Sequence, residues 1–243
     1  MIAPTQEQKK IKKMIKAVSF DLDDTLWPLM PTILNAEKVT NTWVKENYPG
    51  VTSLLNRKDV FAIRDKLVKN NPNLVNQLSE LRKLSFIELG LLAGYSEQES
   101  RSLSKSSFEI FFNARNDIEL YEGVEETLSS LKSKYKLGVI TNGNADLKKI
   151  GIDHYFDFAF SSSDLNASKP DPIMFQAAVD ATSCSAEEIC HVGDHQIYDV
   201  KASKDFGMHP IWFNEVGGEW NLDDEYPLEI KSWSEMESSI NSF

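Results

Sequence analysis

The sequence predicts an α/β fold in which a doubly wound parallel sheet carries an inserted all-helical domain. From about Tyr121 to Phe213, apolar strand-like segments alternate with helical segments. This alternation is typical of a parallel sheet that is covered by helices on both faces. Residues 31–116 instead show apolar side chains at helical spacing, as at Leu74, Leu78 and Leu81. Because this helical stretch follows a single strand, we interpret it as an insertion after that strand.

The elements follow in order from these patterns. The first strand is predicted at residues 15–20 (IKAVSF), because it is short and rich in β-formers and an acidic run follows it directly. Four more strands are predicted at residues 137–141, 156–160, 189–192 and 210–213. Helices are predicted at residues 124–133, 145–149, 172–181 and 197–206, with a short one near 234–240.

Length, charge and cysteine content narrow the class of protein. The 243 residues suit one large domain or two small ones, and the net charge of −11 argues against a partner that is a nucleic acid or an anionic membrane. No apolar segment reaches the length of a membrane span. Cys184 and Cys190 are too few for a disulfide framework, which indicates reduced thiols in a cytoplasmic protein. Lysines 9, 10, 12, 13 and 16 are interpreted as a solvated basic helix.

Four polar clusters lie beyond the carboxyl ends of predicted strands, where the ligand sites of parallel sheets lie. They are Asp21-Leu22-Asp23-Asp24-Thr25, Thr141-Asn142-Gly143-Asn144, Lys169-Pro170-Asp171-Pro172, and Gly193-Asp194 with Asp199. Each has an ordinary interpretation as well: a helix cap, a turn, a surface lysine, or a weak cation site. Together they supply a nucleophile, an acid/base group, anion donors, a fixed cation and metal-binding carboxylates. That combination favours phosphoryl transfer through an aspartyl phosphate.

The four clusters, in this order, resemble the motifs of the haloacid dehalogenase superfamily, whose core is a Rossmann-like sheet. The long insertion is similar to that superfamily's helical cap of the first type. The resemblance implies a core domain at residues 1–27 and 118–243 and a cap domain at residues 28–117.

The resemblance also implies the role of each residue. Asp21 would be the nucleophile, Asp23 the acid/base, and Lys169 the cation that offsets charge on Asp21 and the phosphate. The phosphoryl group would be bound by Leu22, Asp23, Thr141, Asn142 and Lys169. Mg²⁺ would be bound by Asp21, the backbone carbonyl of Asp23 and Asp194, with Thr25, Gly193 and Asp199 in support.

Within the superfamily, several segments resemble a bacterial branch of phosphatases: FDLDDTLW, ITNGNA, SKP and ICHVGDH. That branch acts on flavin mononucleotide and on 5-amino-6-(5-phosphoribitylamino)uracil. We therefore expect a Mg²⁺-dependent phosphatase of a small phosphorylated metabolite, acting as a monomer or weak homodimer without nucleic acid or membrane. A nucleotide or sugar phosphatase and a phosphomutase are the alternatives. A dehalogenase is disfavoured because its leaving group needs no proton from Asp23. A catalytically silent binding module is disfavoured because every motif residue is present.

Residues outside the motifs receive weaker interpretations. Trp27 is expected to pack at the junction of the two domains, with stacking on the substrate as the alternative. Arg82, Lys83 and Arg115 are candidate cations for the distal groups of a phosphate ester. His191 lies on a predicted strand and is expected to pack in the core.

Overall fold

The sheet of this computed structural model, which describes residues 14–243, is six-stranded and parallel throughout, in the order β3-β2-β1-β4-β5-β6. The predicted α/β fold class is confirmed. The strands are β1 (Ala17–Phe20), β2 (Lys136–Thr141), β3 (Phe158–Ser161), β4 (Ile189–Gly193), β5 (His209–Phe213) and β6 (Leu228–Ile230). The sequence analysis missed β6, because its three residues lie in an acidic tail without a strand pattern.

The strand β1 forms the centre of the sheet, between β2 and β4. Its four residues, AVSF, are all buried, as expected for a parallel strand covered on both faces. From β1 the chain continues to β2 and β3 on one side and then returns to β4 on the other. The carboxyl end of β1 is therefore a topological switch point, which is where open α/β sheets place their ligands.

Helices of the sheet domain cover both faces. They are α5 (Val124–Lys132), α6 (Leu147–Ile150), α7 (Ser162–Leu165), α8 (Pro172–Thr182), α9 (Ala202–Phe206) and α10 (Met236–Ile240). Two predicted boundaries need correction. The stretch predicted as one helix at 197–206 begins as a π-helical turn, Gln196–Lys201, and only then becomes α9. The helix predicted at 145–149 starts later, since Asp146 caps its first N–H groups.

Between β1 and α5 the chain forms the helical insert. Its helices are α1 (Leu29–Asn47), α2 (Arg57–Asn70), α3 (Leu78–Leu92) and α4 (Glu97–Arg115). These helices share an apolar core of their own, in which Val44, Phe86 and Leu103 are buried. α4 begins with a capping box between Ser96 and Glu99. The exact domain limits at 28 and 117 stay a prediction.

The helical insert touches the sheet domain through a row of hydrogen bonds near the carboxyl edge of the sheet. The side chain of Asn76 donates to the carbonyl of Asn166 at 2.9 Å, and that of Gln77 donates to the carbonyl of Ser163 at 3.1 Å. Asn144, just beyond β2, donates to Ser79 at 3.1 Å. The insert therefore lies over the strand ends that carry the four polar clusters.

Part of the predicted N-terminal basic helix lies outside the described residues, which begin at residue 14. Lys16, the last of its lysines, is not helical and pairs with Glu188 at 2.6 Å just before β1. Over residues 14–243, no helix has the length and apolar character needed to cross a membrane.

Candidate active site

Asp21 follows β1 directly and lies at the centre of the site. Its backbone N–H donates to the carbonyl of Val192 at 2.9 Å, which continues the β1–β4 pairing and fixes the position of its side chain. The residue is 8% exposed. Burial raises the pKa of Asp21 to about 7, with Lys169 opposing this shift and Asp199 adding to it. The carboxylate is thus desolvated but stays next to a cation.

Lys169 provides that cation. Its Nζ lies 2.7 Å from Oδ1 of Asp21 and 2.5 Å from Oδ1 of Asp199. Burial alone would lower the pKa of Lys169, but the two carboxylates more than offset it and raise the pKa. Asn142 holds the lysine backbone from both sides, because its Oδ1 accepts from the N–H of Lys169 and its Nδ2 donates to the carbonyl. The second and third clusters are therefore joined directly.

Asp199 is the acceptor at the centre of the cluster beneath Lys169. Its Oδ1 also lies 3.2 Å from Nε2 of His191, and its Oδ2 accepts from the N–H of His195 at 3.0 Å. Burial opposes ionisation, yet Lys169 and His191 hold the pKa of Asp199 well below its usual range. Residue 193 has no room for a side chain, because a Cβ on Gly193 would lie 2.3 Å from Cγ of Asp199.

The residues that suit a metal ion are Asp21, Asp194 and Asp199, whose carboxylate oxygens lie within 4.8 Å of one another. Burial, followed by the nearby Asp199 and Asp21, raises the pKa of Asp194 to about 8. Lys169 pairs with Asp21 and Asp199 but not with Asp194, so the three carboxylates carry more negative charge than one lysine offsets, which fits a hard divalent cation with oxygen ligands. Both oxygens of Asp199 already accept hydrogen bonds, whereas Asp194 accepts a long one of 3.4 Å from Thr25. Asp21 and Asp194 are thus better placed than Asp199 to bind the ion directly.

Asp23 lies two residues beyond Asp21 in a different environment. Nη2 of Arg115 lies 2.7 Å from each of its carboxylate oxygens, and the indole Nε1 of Trp27 donates to Oδ1 at 2.9 Å. Burial raises the pKa of Asp23, while Arg115 and Trp27 act against that shift. The chain therefore has one carboxylate beside a lysine and a second beside an arginine at the end of the same strand.

The loop after β2 approaches both carboxylates. Thr141 is buried, and its Oγ1 accepts from the N–H of Gly143 at 3.0 Å. A Cβ on Gly143 would lie 2.6 Å from Oδ2 of Asp23, so only glycine allows this close approach. The Leu22 side chain packs in the apolar core, so only its backbone is available to a ligand. The alternative interpretation of the first cluster also holds in part, because Oδ1 of Asp24 accepts from the N–H of Leu29 at the start of α1.

A cavity of about 490 Å³ lies within the helical insert, between α1 and α2 with α3 behind it. Its walls are largely apolar, but Arg64 and Arg82 both face it against a single acid, Glu37, which lies 3.6 Å from Arg82. Nε of Arg64 is buried without a hydrogen-bond partner. Burial lowers the pKa of Arg82 to about 10, and the neighbouring Arg64 adds to this effect. The cavity is therefore electropositive inside a protein of net charge −11.

This cavity is lined by residues of the helical insert, and none of the predicted site residues lines it. Met30 lines it from the first turn of α1, three residues after Trp27. The guanidinium of Arg82 stacks 3.4 Å over the ring of Phe111, which lies one turn before Arg115 on α4. Along the chain, the cavity lining thus comes within three residues of Trp27, and Arg82 contacts α4 one turn before Arg115.

The structure brings all the predicted site residues to one edge of the sheet. They are Asp21, Leu22, Asp23, Thr25, Thr141, Asn142, Lys169, Gly193, Asp194 and Asp199. The expectation that Arg115 meets the distal part of a substrate is wrong, since its buried guanidinium is paired with Asp23. Lys83 lies at the surface over Phe108, next to Glu80.

Three functional contacts were missed. Trp27 was expected to pack at the domain junction or to stack on the substrate, and its hydrogen bond to Asp23 was not predicted. Arg115 lies 92 residues from Asp23, a separation that no local pattern bridges. His191 was assigned to core packing, but it links Ser19 (2.8 Å) to Asp199. The paired registers of β1 and β4, which set Ser19 beside His191, explain that link.

Comparison with known proteins agrees with this geometry. A family model for haloacid dehalogenase-like hydrolases matches residues 15–207. The chain is 31% identical over 230 residues to 5-amino-6-(5-phospho-D-ribitylamino)uracil phosphatase YigB from Escherichia coli K12, covering 93% of this chain and 96% of that protein. It is also 27% identical over 210 residues to a glyceraldehyde 3-phosphate phosphatase from Methanothermobacter thermautotrophicus, covering 83% and 86%.

A solved structure described as 2-haloacid dehalogenase from Pseudomonas syringae pv. Tomato DC3000 superposes with a TM-score of 0.91. It is 36% identical and covers 94% of this chain and 99% of its own. These matches confirm the predicted class of enzyme, a phosphoric monoester hydrolase. The chain belongs to the haloacid dehalogenase-like hydrolase family.

Proposed function

We propose that this protein is a Mg²⁺-dependent phosphatase that hydrolyses a small phosphate monoester through an aspartyl phosphate on Asp21. The observation that carries the proposal is the different setting of two carboxylates at the end of β1. Asp21 lies 2.7 Å from Lys169, and Asp23 lies 2.7 Å from Arg115. Two titratable groups in distinct environments are suited to separate roles as nucleophile and acid/base.

In the first step an Asp21 oxygen attacks phosphorus and the bond to the leaving oxygen breaks. Asp23 gives its proton to that oxygen, since an alkoxide is a poor leaving group without one. In the second step Asp23 takes a proton from water, whose oxygen attacks phosphorus and releases inorganic phosphate and Asp21. Lys169 offsets the charge of Asp21 and of the phosphoryl group. Thr141 and the backbone of residues 142–144 supply donors at the same edge.

The residues that would hold Mg²⁺ are Asp21, Asp194 and the backbone carbonyl of Asp23, with Asp199 keeping Lys169 in place. When bound, the ion screens the repulsion between Asp21 and the phosphate dianion. The uncompensated carboxylates around Asp194 support this assignment.

The substrate we propose is flavin mononucleotide or a phosphorylated riboflavin precursor. The relative from Escherichia coli, matched over 93% of this chain, supports that choice. So does the cavity of about 490 Å³ in the helical insert, which combines apolar walls with the guanidinium groups of Arg57, Arg64 and Arg82. Such a cavity suits a flat heteroaromatic ring whose carbonyl oxygens accept hydrogen bonds from Arg64 and Arg82.

Other reactions of the family remain as alternatives. A nucleotide or sugar phosphatase would use the same two carboxylates, and a phosphomutase would pass the phosphoryl group to a second hydroxyl instead of water. The structural similarity to the protein described as a 2-haloacid dehalogenase makes dehalogenation the second candidate function. Asp23 argues against it, because a halide leaves without a proton. A silent binding module is disfavoured by the complete set of charged residues.

The experiment that tests the proposal is a screen for phosphate release. The purified protein is incubated with flavin mononucleotide, a phosphoribityl-aminouracil, nucleotides and sugar phosphates, in Mg²⁺ and in EDTA. We expect Mg²⁺-dependent phosphate release with the flavin-related compounds turned over fastest. A parallel assay measures chloride release from a 2-chloro acid. Chloride release without phosphate release, or full phosphatase activity in EDTA, would contradict the proposal.

A further inference from the structure

The Asp23 carboxyl is held by two side chains that stand at opposite ends of the helical insert. Trp27 lies in the connection that leads from β1 into α1, and Arg115 is the last residue of α4. The distances are 2.9 Å from the indole Nε1 to Oδ1, and 2.7 Å from Nη2 of Arg115 to each oxygen. Each of the two connections between the sheet domain and the insert therefore contributes one side chain that contacts the carboxyl group of Asp23.

The side chains of Trp27 and Arg115 are almost completely buried. Trp27 is 0% exposed and Arg115 is 1% exposed, and the guanidinium lies 6.0 Å from the centre of the indole ring. The main chain ties the two connections together, since the N–H of Tyr121 donates to the carbonyl of Leu26 at 2.9 Å. Burial of an arginine and of a tryptophan N–H is costly unless the positive charge is paired and the indole N–H has an acceptor. Here the shared partner is Asp23.

The contacts of Arg115 in the described part of the chain point to this one function. Its ion pair there is with Asp23, and Nη1 is buried without a hydrogen-bond partner. Nη2 lies 3.6 Å from where a Cβ of Gly143 would be, beside the loop that carries Thr141. The guanidinium thus reaches the reacting end of the site from the insert.

We propose that Arg115 and Trp27 are positioning residues that hold the Asp23 carboxyl in line with the leaving oxygen of the substrate. This inference rests on the proposed phosphatase function and on Asp23 as its acid/base. Because both groups act through Asp23, their effect on the reaction rate depends on how strongly the leaving oxygen needs a proton. It also depends on the insert, since any motion that carries the end of α4 away from β1 removes the stronger of the two partners.

The test uses two conservative variants of the full chain, Trp27→Phe and Arg115→Lys. The first removes one N–H and keeps the ring, and the second keeps the charge but loses the planar pair of donors. We expect kcat for an alkyl phosphate to fall about tenfold or more, while kcat for p-nitrophenyl phosphate falls less than about threefold. KM should change less than about twofold for both substrates. Trp43→Phe, in the insert's own core, is the matched control and should leave both rates unchanged.

A double-mutant cycle separates positioning from a general loss of packing. In an Asp23→Asn background, Trp27→Phe and Arg115→Lys should cost nothing further, because the group on which they act is already disabled. Circular dichroism and thermal melting confirm that each variant is folded. Equal losses on both substrates, or losses that add to that of Asp23→Asn, would overturn the inference. An unmodified protein that releases no phosphate would instead overturn the proposed function.

Discussion

The ammonium group of Lys169 lies 2.7 Å from Oδ1 of Asp21, although the two residues are 148 positions apart. This contact decides the electrostatics of the site. It places a cation beside the buried carboxylate of Asp21. The same ammonium group also lies 2.5 Å from Oδ1 of Asp199. A buried lysine between two acids is fixed in space, so it can stabilise charge on an attacking carboxylate and on a phosphoryl group without reorganising.

Removing this cation should therefore slow the reaction of every phosphate ester. We expect Lys169→Met to lower kcat/KM by about 100-fold or more for both alkyl and aryl phosphates, because the lost charge stabilisation does not depend on the leaving group. Steady-state kinetics on both classes measure the effect. Lys231→Met, an exposed lysine far from the cluster, is the control. A loss confined to alkyl phosphates would contradict this role.

The two carboxylates after β1 should differ in their dependence on the leaving group. Asp21→Asn should abolish turnover, because no nucleophile remains. Asp23→Asn should lower kcat about 100-fold or more for an alkyl phosphate, but much less for p-nitrophenyl phosphate, whose phenolate leaves without a proton. Rates on the two substrates, measured side by side, check this. Equal losses for Asp23→Asn on both would argue against its function as general acid.

The acidic cluster should make the stability of the metal-free protein depend on pH. The pKa of Asp21 is raised to about 7 and that of Asp194 to about 8, so between pH 6.5 and 8.5 the folded state binds more protons than the unfolded chain. The free energy of unfolding in EDTA should then fall as the pH rises through this window. Lys169, with a raised pKa, and Asp199, with a lowered one, keep their charges throughout it. The lowered pKa of His191 affects stability mainly below about pH 6.5.

Mg²⁺ should reverse this trend, because it binds the deprotonated carboxylates. At saturating Mg²⁺ and pH 8.5 we expect the thermal midpoint to rise by about 5–10 °C, with a smaller rise at pH 6.5. Thermal melts in EDTA and in Mg²⁺ at both pH values measure the effect. Asp194→Asn should reduce both the pH trend and the Mg²⁺ shift. A midpoint that is independent of pH and of Mg²⁺ would exclude the proposed metal site.

The cavity of the helical insert should determine which substrates bind well, without affecting the rate of the chemical step. We expect Arg82→Met and Arg64→Met to raise KM for flavin mononucleotide by about tenfold or more, since each removes a charged hydrogen-bond donor from the cavity. The kcat and KM of a small alkyl phosphate that cannot reach the cavity should stay within twofold. Arg101→Met, an exposed arginine paired with Glu97, is the control. Equal effects on large and small substrates would show that the cavity does not hold the leaving group.

The sequence by itself was enough to predict the sheet and the edge at which the site lies. Alternating apolar strands and helices require a parallel sheet, and parallel strands direct their carboxyl ends to one edge. The clusters after β1, β2 and β4 therefore had to lie near Asp21, wherever the helices between them were placed. β6 escaped prediction because three residues in an acidic tail carry no periodic pattern, and the π-helical turn at Gln196–Lys201 because its composition is that of an ordinary helix.

Which partner each charged side chain takes depends on how the helices and strands pack in three dimensions. Arg115 lies near the end of a long helix, and its sequence neighbourhood fits a surface cation as well as a buried one. It is paired with Asp23 because the packing of α4 against α1 brings the end of the insert back beside its beginning. Trp27 gains its hydrogen bond in the same way, and His191 gains Asp199 through the turn after Gly193. Periodicity records which face of an element is apolar, whereas a pairing across 92 residues depends on how whole elements pack against one another.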